Sequence, residues 1–169
     1  MPTKCPPYIV YKAEKTDKKD IMRFYKSQRY SARYIGQDQG YFIKINDNII
    51  ACVIVSGGRE CSQFWLLHAL VIRPTYRKKG IASLLLRTIL TENSSSAIRA
   101  IEQSKAKVAS YANIICFAAP NLQALYVSNQ FVHYNSPDDI AQLPNEFRSR
   151  FTRYQEKHPS LCCYCYSAS

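Results

Sequence analysis

No apolar run in the 169 residues approaches the ~20 that a membrane-crossing helix needs. The opening residues, MPTKCPPY, carry no apolar core of the signal-peptide kind, so a cytoplasmic location is expected. Paired metal-ligand spacings are missing as well. Cys162, Cys163 and Cys165 cluster near the C-terminal end, but no second Cys/His pair is placed to complete a zinc site. They read as small hydrophobes in a strand, and no metal is expected. The seven cysteines, an odd number, read as thiols in a reducing compartment. No internal repeat is visible, and one domain over residues 1–169 is expected. At 47% hydrophobic residues the chain is globular, not disordered.

Acidic residues are scarce. Twelve Asp and Glu stand against 23 Lys and Arg, for a formal net charge of +11. Much of the excess lies early, at Lys12, Lys15, Lys18, Lys19, Arg23, Lys26, Arg29 and Arg33. Such a balance suits an anionic partner or a solvated basic face. No helix-turn-helix, RNP or zinc-finger pattern accompanies it, so nucleic acid stays open as a partner without being favoured.

The chain is organised around Trp65 to Leu90, WLLHALVIRPTYRKKGIASLLLRTIL. Trp65 to Ile72 are apolar except for His68, as in a strand covered on both faces. Pro74 ends the strand because it has no N–H to give. From Ile81, apolar residues recur at helical spacing through Leu84, Leu85 and Ile89. Strand, basic glycine loop and helix therefore follow one another. The first N–H groups of a helix lack internal partners, and the dipole is positive there. Gly80 permits close backbone approach, and Arg77, Lys78 and Lys79 add charge, which together suit a pyrophosphate. The spacing is neither the dinucleotide fingerprint nor a Walker A loop.

The pattern Ile72, Pro74, Arg77, Gly80, Ala82, with a strand before and a leucine-rich helix after, resembles the acetyl-CoA signature of the GNAT acyltransferase superfamily. The resemblance implies an α/β fold: a mixed, mostly antiparallel sheet flanked by helices. Its central strands, Trp65–Ile72 and Ile114–Phe117, would lie side by side and splay apart. It implies acetyl-CoA as co-substrate and a small-molecule or peptide amine as acceptor. Leu70, Val71 and Ile72 would pair with the pantetheine arm. Arg77, Lys78, Lys79, Gly80, Ile81, Ala82 and Ser83 would hold the pyrophosphate. Leu67, His68, Ala69, Leu70, Ile72, Arg77, Gly80, Ser83, Leu85 and Leu86 are locally similar to arylalkylamine N-acetyltransferase, which has a histidine at the His68 position. Leu66 stands where that family has a second histidine.

A second resemblance covers Asn121 to Phe131. Asn121 to Tyr126, N-L-Q-A-L-Y, open a short helix, and Tyr126 stands at the position of the family tyrosine that protonates the leaving thiolate. Gln130 replaces a glycine, and Ala119 stands where an asparagine is usual, with Asn121 nearby. Histidine is a suitable base for an amine near neutral pH, which makes His68 the candidate. On simple alternation Leu66, His68 and Leu70 would share one face of the strand. The N–H of Leu70 is the expected oxyanion donor.

The other elements are read in chain order. Tyr8–Tyr11 reads as the first strand, and Thr16 or Asp17 as the cap of a helix striped by Ile21, Met22, Phe24 and Tyr25. Tyr30 to Gln39 reads as a loop, with Tyr30, Tyr34 and Asp38 as pocket candidates. Tyr41–Ile45 and Ile49–Val55 read as strands about an Asn46–Asp47–Asn48 hairpin turn. Ala97 to Ala109 reads as an inserted helical piece. Ile140–Pro144 reads as loop, Glu146–Gln155 as a helix with Phe147, Phe151 and Tyr154 on one face, and Leu161–Tyr166 as the last strand.

Overall fold

A computed structural model describes residues 8–34, 38–58, 63–91 and 113–167. The expected insertion of Asn93 to Ala109 lies outside the described residues. Seven strands form one sheet: β1 (Tyr11–Lys12), β2 (Gln39–Ile45), β3 (Asn48–Gly57), β4 (Phe64–Ile72), β5 (Asn113–Ala118), β6 (Val132–His133) and β7 (Cys162–Tyr166). Their order is β1-β2-β3-β4-β5-β7-β6. Every neighbouring pair is antiparallel except β4 with β5. The helices are α1 (Lys18–Ser27), α2 (81–91), α3 (Gln123–Ser128), α4 (Pro137–Gln142) and α5 (Asn145–Lys157). None of them is long and apolar enough to cross a membrane.

The β2–β3 turn follows directly from its residues. Asn46 and Asp47 both take positive φ, 49° and 63°, as the two central positions of a tight hairpin require. The first strand is shorter than Tyr8–Tyr11 and later, because only Tyr11 and Lys12 find partners, in Phe42 and Tyr41. The segment read as loop at Ile140–Pro144 begins inside α4. Ser136 accepts from the Asp139 N–H while the Asp139 carboxylate accepts from the Ser136 N–H. That reciprocal cap makes a six-residue helix with little apolar content of its own.

Each sheet face has its own cover. On one, Ile81, Leu85, Leu86, Ile89 and Leu90 of α2 pack with Tyr126 of α3 over Val53, Val55, Leu67, Ile114 and Cys116. On the other, Ile21, Phe24 and Tyr25 of α1 cover Phe42, Cys52, Ile54, Ala69 and Val71. Phe147 and Phe151 of α5 cover Phe64, Leu66, Ile115, Cys163 and Cys165 beside them. Tyr154, expected on the same apolar stripe, is 45% exposed and meets Phe117 edge-on.

Strand β4 carries a bulge at its middle. The register with β3 shifts between Cys52 and Ile54, so that Ala69 and Leu70 oppose Val53, and Ala69 sits at φ 55°. The bulge overturns the expectation that Leu66, His68 and Leu70 share a face. Leu66 packs on the α5 side, whereas Leu70 and Ile72 pack on the α2 side. One added residue reverses the alternation beyond it. The phenol of Tyr25 donates to the Ala69 carbonyl at 2.7 Å and ties the bulge to α1. Tyr25→Phe removes that donor and should cost about 1–3 kcal/mol in denaturant unfolding. An unchanged midpoint would mean that the bulge is held without it.

Candidate active site

The parallel pairing of β4 with β5 runs through three positions only: Phe64 with Asn113, Trp65 with Ile114 and Leu66 with Ile115. Beyond them the two strands diverge, and β5 continues in register with β7 to Ala118. A wedge opens between the rest of β4, which includes Leu70, Val71 and Ile72, and the rest of β5. The fork is the feature that the strand expectations called for.

At the end of β4 the chain turns through a short 3-10 segment, Pro74–Tyr76. Arg73 anchors the turn, donating from its backbone to the Ile50 carbonyl at 2.8 Å and from Nε to the Ile49 carbonyl at 2.9 Å. The Arg77 side chain folds back to the Ile72 carbonyl at 3.0 Å. Lys78 and Gly80 then take φ of 61° and 77°. Arg77, Lys78, Lys79 and Gly80 are all exposed, and Lys79 lies over the Tyr76 ring. A side chain at Gly80 would meet nothing within 4 Å, so its φ, and not crowding by the protein, is what favours glycine. Helix α2 makes its first return bond from the Leu84 N–H to the Gly80 carbonyl at 3.0 Å. The amides before Leu84 therefore precede the helical ladder, as at any helix start. Ile81 is buried, so only its backbone can serve a ligand there.

Ser83 and α3 are joined by Asn129, a residue without a signal in the sequence. Its buried amide donates to Ser83 Oγ at 3.1 Å and to the Leu125 carbonyl at 2.8 Å. Asn121, in the 3-10 turn Pro120–Leu122, is exposed and outside this contact.

Tyr126 stacks on Tyr164, with centroids 5.4 Å apart, and meets Phe131 edge-on. Burial raises its hydroxyl pKa well above the usual range, and the adjoining Cys116 thiol adds to the effect. The phenol is thus firmly protonated, the form an acid must hold. His68 lies on the opposite face of the sheet. Its Nε2 is 2.7 Å from the Oγ of buried Ser56, the hydroxyl donating or accepting according to the tautomer. Burial lowers the His68 pKa to about 4, opposed by Asp38 and assisted by Arg150. The ring is neutral at physiological pH, and burial makes it a weaker base than an exposed imidazole. Of the three loop candidates, Asp38 acts on His68, Tyr30 lines a groove beside α1, and Tyr34 lies under the Lys18 ammonium.

The family model described as "Acetyltransferase (GNAT) family" matches residues 8–112. No curated protein sequence matches the chain. Solved structures share the fold at low identity. The ribosomal-protein-S18-alanine N-acetyltransferase from Escherichia coli aligns at TM-score 0.60 and 12% identity, covering 96% of each chain. An acyl-CoA N-acyltransferase from Pseudomonas aeruginosa aligns at 0.57 and 12%, over 95% of this chain and 100% of its own. N-acetylglutamate synthase from Neisseria gonorrhoeae, complexed with coenzyme A and N-acetyl-glutamate, aligns at 0.60 and 15% over 96% of this chain. That match spans only 35% of the synthase.

The His68 geometry makes a prediction about folding. The folded pKa lies below the ordinary value of 6.5, so the unfolded chain takes up this proton first as pH falls. The contribution of the neutral ring is whole above pH 6.5 and is lost as pH drops toward 4. Stability should decline across that window, and His68→Gln should flatten the decline. Equal pH dependence in the two proteins would contradict the buried, neutral ring.

Proposed function

The chain belongs to the GNAT acetyltransferase family, and from that premise we propose that it transfers an acetyl group from acetyl-CoA to a primary amine. The observation that carries this reading is the fork between β4 and β5, opening directly beside a left-handed, cationic loop at a helix start. Pantetheine carries amides that can pair with a strand edge, and Leu70, Val71 and Ile72 offer such an edge. The amides from Lys78 to Ser83, with the charges of Arg77, Lys78 and Lys79, suit the pyrophosphate. Gly80 keeps the ligand side of that loop clear.

The reaction divides across the sheet. The amine approaches from the side of α1 and α5, where His68 lies, and loses its proton to the ring directly or through water. Its nitrogen then bonds to the thioester carbon in the fork. The Leu70 N–H, just past the bulge, donates to the negative oxygen of the tetrahedral intermediate. The C–S bond breaks as the intermediate collapses, and the thiolate takes the Tyr126 proton from the α3 side. Ser56 holds the His68 ring in orientation. The likeness of Leu67 to Leu86 to arylalkylamine N-acetyltransferase supports His68 as the base and leaves the acceptor open.

Thiol release from acetyl-CoA across amine classes tests the activity. Tyr126→Phe should lower kcat by about tenfold or more with acetyl-CoA affinity nearly intact, because the proton is needed only as the thiolate forms. Full turnover in that variant would remove Tyr126 from the chemistry. Gly80→Val should weaken CoA binding in calorimetry, since a branched residue at this φ costs roughly 1–2 kcal/mol and projects toward the ligand. Unchanged affinity would refute the loop as the pyrophosphate site.

A further inference from the structure

A groove of about 680 Å³ runs beside α1, and Lys19, Arg23, Lys26, Arg29, Tyr30 and Tyr25 are among the residues that line it. Among the described residues no acidic one lines it. Lys19, Arg23 and Lys26 follow one another at helical spacing, four and three residues apart, so they share one face. Arg29 continues the row in the turn after the helix, at φ 55°. Among the described residues the one ion pair on this row is Arg23 with Asp20, at 3.3 Å and largely exposed on both sides.

The groove is linked to β4 through one of its lining residues. Tyr25, which lines it, donates to the Ala69 carbonyl, the residue after His68. Tyr30 lies against Tyr25, with ring centroids 5.8 Å apart. Tyr25 and Tyr30 thus tie the groove to β4. Helix α1 covers the same sheet face as His68, the side from which the amine approaches.

We infer that this groove binds an acidic peptide segment and so selects, for acetylation, a peptide amine with carboxylates beside it. The inference rests on the amine-acetylation reading. Lys19 to Lys26 spans about 10 Å of helix, the reach of about three extended residues. A single small amino acid is too short to use the whole row. A nucleic acid supplies the charge but no basic amine for His68 to deprotonate. An acidic peptide supplies both.

The test uses short fluorescent peptides with a free N-terminal alanine, followed by Asp and Glu, by Asn and Gln, or by Lys. Anisotropy with CoA present measures binding, and thiol release from acetyl-CoA measures turnover. The acidic peptide should bind about tenfold or more tightly than its amide counterpart, an advantage that shrinks as salt rises. Lys26→Glu with Arg29→Glu should abolish or reverse the preference. The two readouts separate the two claims. Charge-selective binding without turnover supports the groove and removes the acetylation reading. Turnover indifferent to peptide charge retains acetylation and overturns the groove. Tighter binding of a single-stranded RNA than of the acidic peptide, or free glutamate accepted as well as the peptide, also overturns it.

Discussion

Everything at the proposed site depends on the place where β4 and β5 stop pairing. Parallel strands side by side would ordinarily continue their ladder, since unpaired backbone inside a protein is costly. Here the ladder ends after Leu66 and Ile115, with β4 running on to Ile72 and β5 to Ala118. Strand β5 stays in register with β7 along its whole remaining length. Strand β4 is held by β3, by the bulge, and by the arginine anchors just beyond its end. The backbone groups facing the gap gain partners if another chain-like molecule enters it, and the pantetheine arm is such a molecule.

The Ala69 bulge sets what each face of that gap presents. Before it, odd-numbered residues of β4 face α2. After it, even-numbered residues do. His68 is thereby left on the α1 side next to Ser56, while Leu70 and Ile72 pack toward α2. The proposed base and acid stand on opposite sides of the sheet, joined only through the fork. Burial keeps the imidazole neutral and the phenol protonated, and it also makes the first a weaker base and the second a weaker acid than they are in water.

Much of this was legible from residues whose effects are local. Asn46–Asp47 gave away the hairpin, because few residues accept positive φ at two successive positions. Pro74, Gly80 and the leucine spacing marked the strand, loop and helix without any tertiary information. The bulge was not legible, since alternation along β4 offers no sign of an extra residue, and its register is fixed by β3. Nor was the Tyr25 bond to Ala69, which joins positions 44 apart in sequence. Asn129 escaped for the same reason, its partner Ser83 lying 46 residues away. Helix α4 is too short and polar to show periodicity, and only its Ser136–Asp139 cap marks it.

The most direct measurement is amide hydrogen exchange of the whole protein with and without acetyl-CoA. The fork predicts slowed exchange in two separated stretches, Leu70 to Ile72 and Lys78 to Ser83, with β2 and β3 unaffected. Protection that falls elsewhere, or that spares Leu70 to Ile72 while CoA is demonstrably bound, would contradict the fork as the cofactor slot.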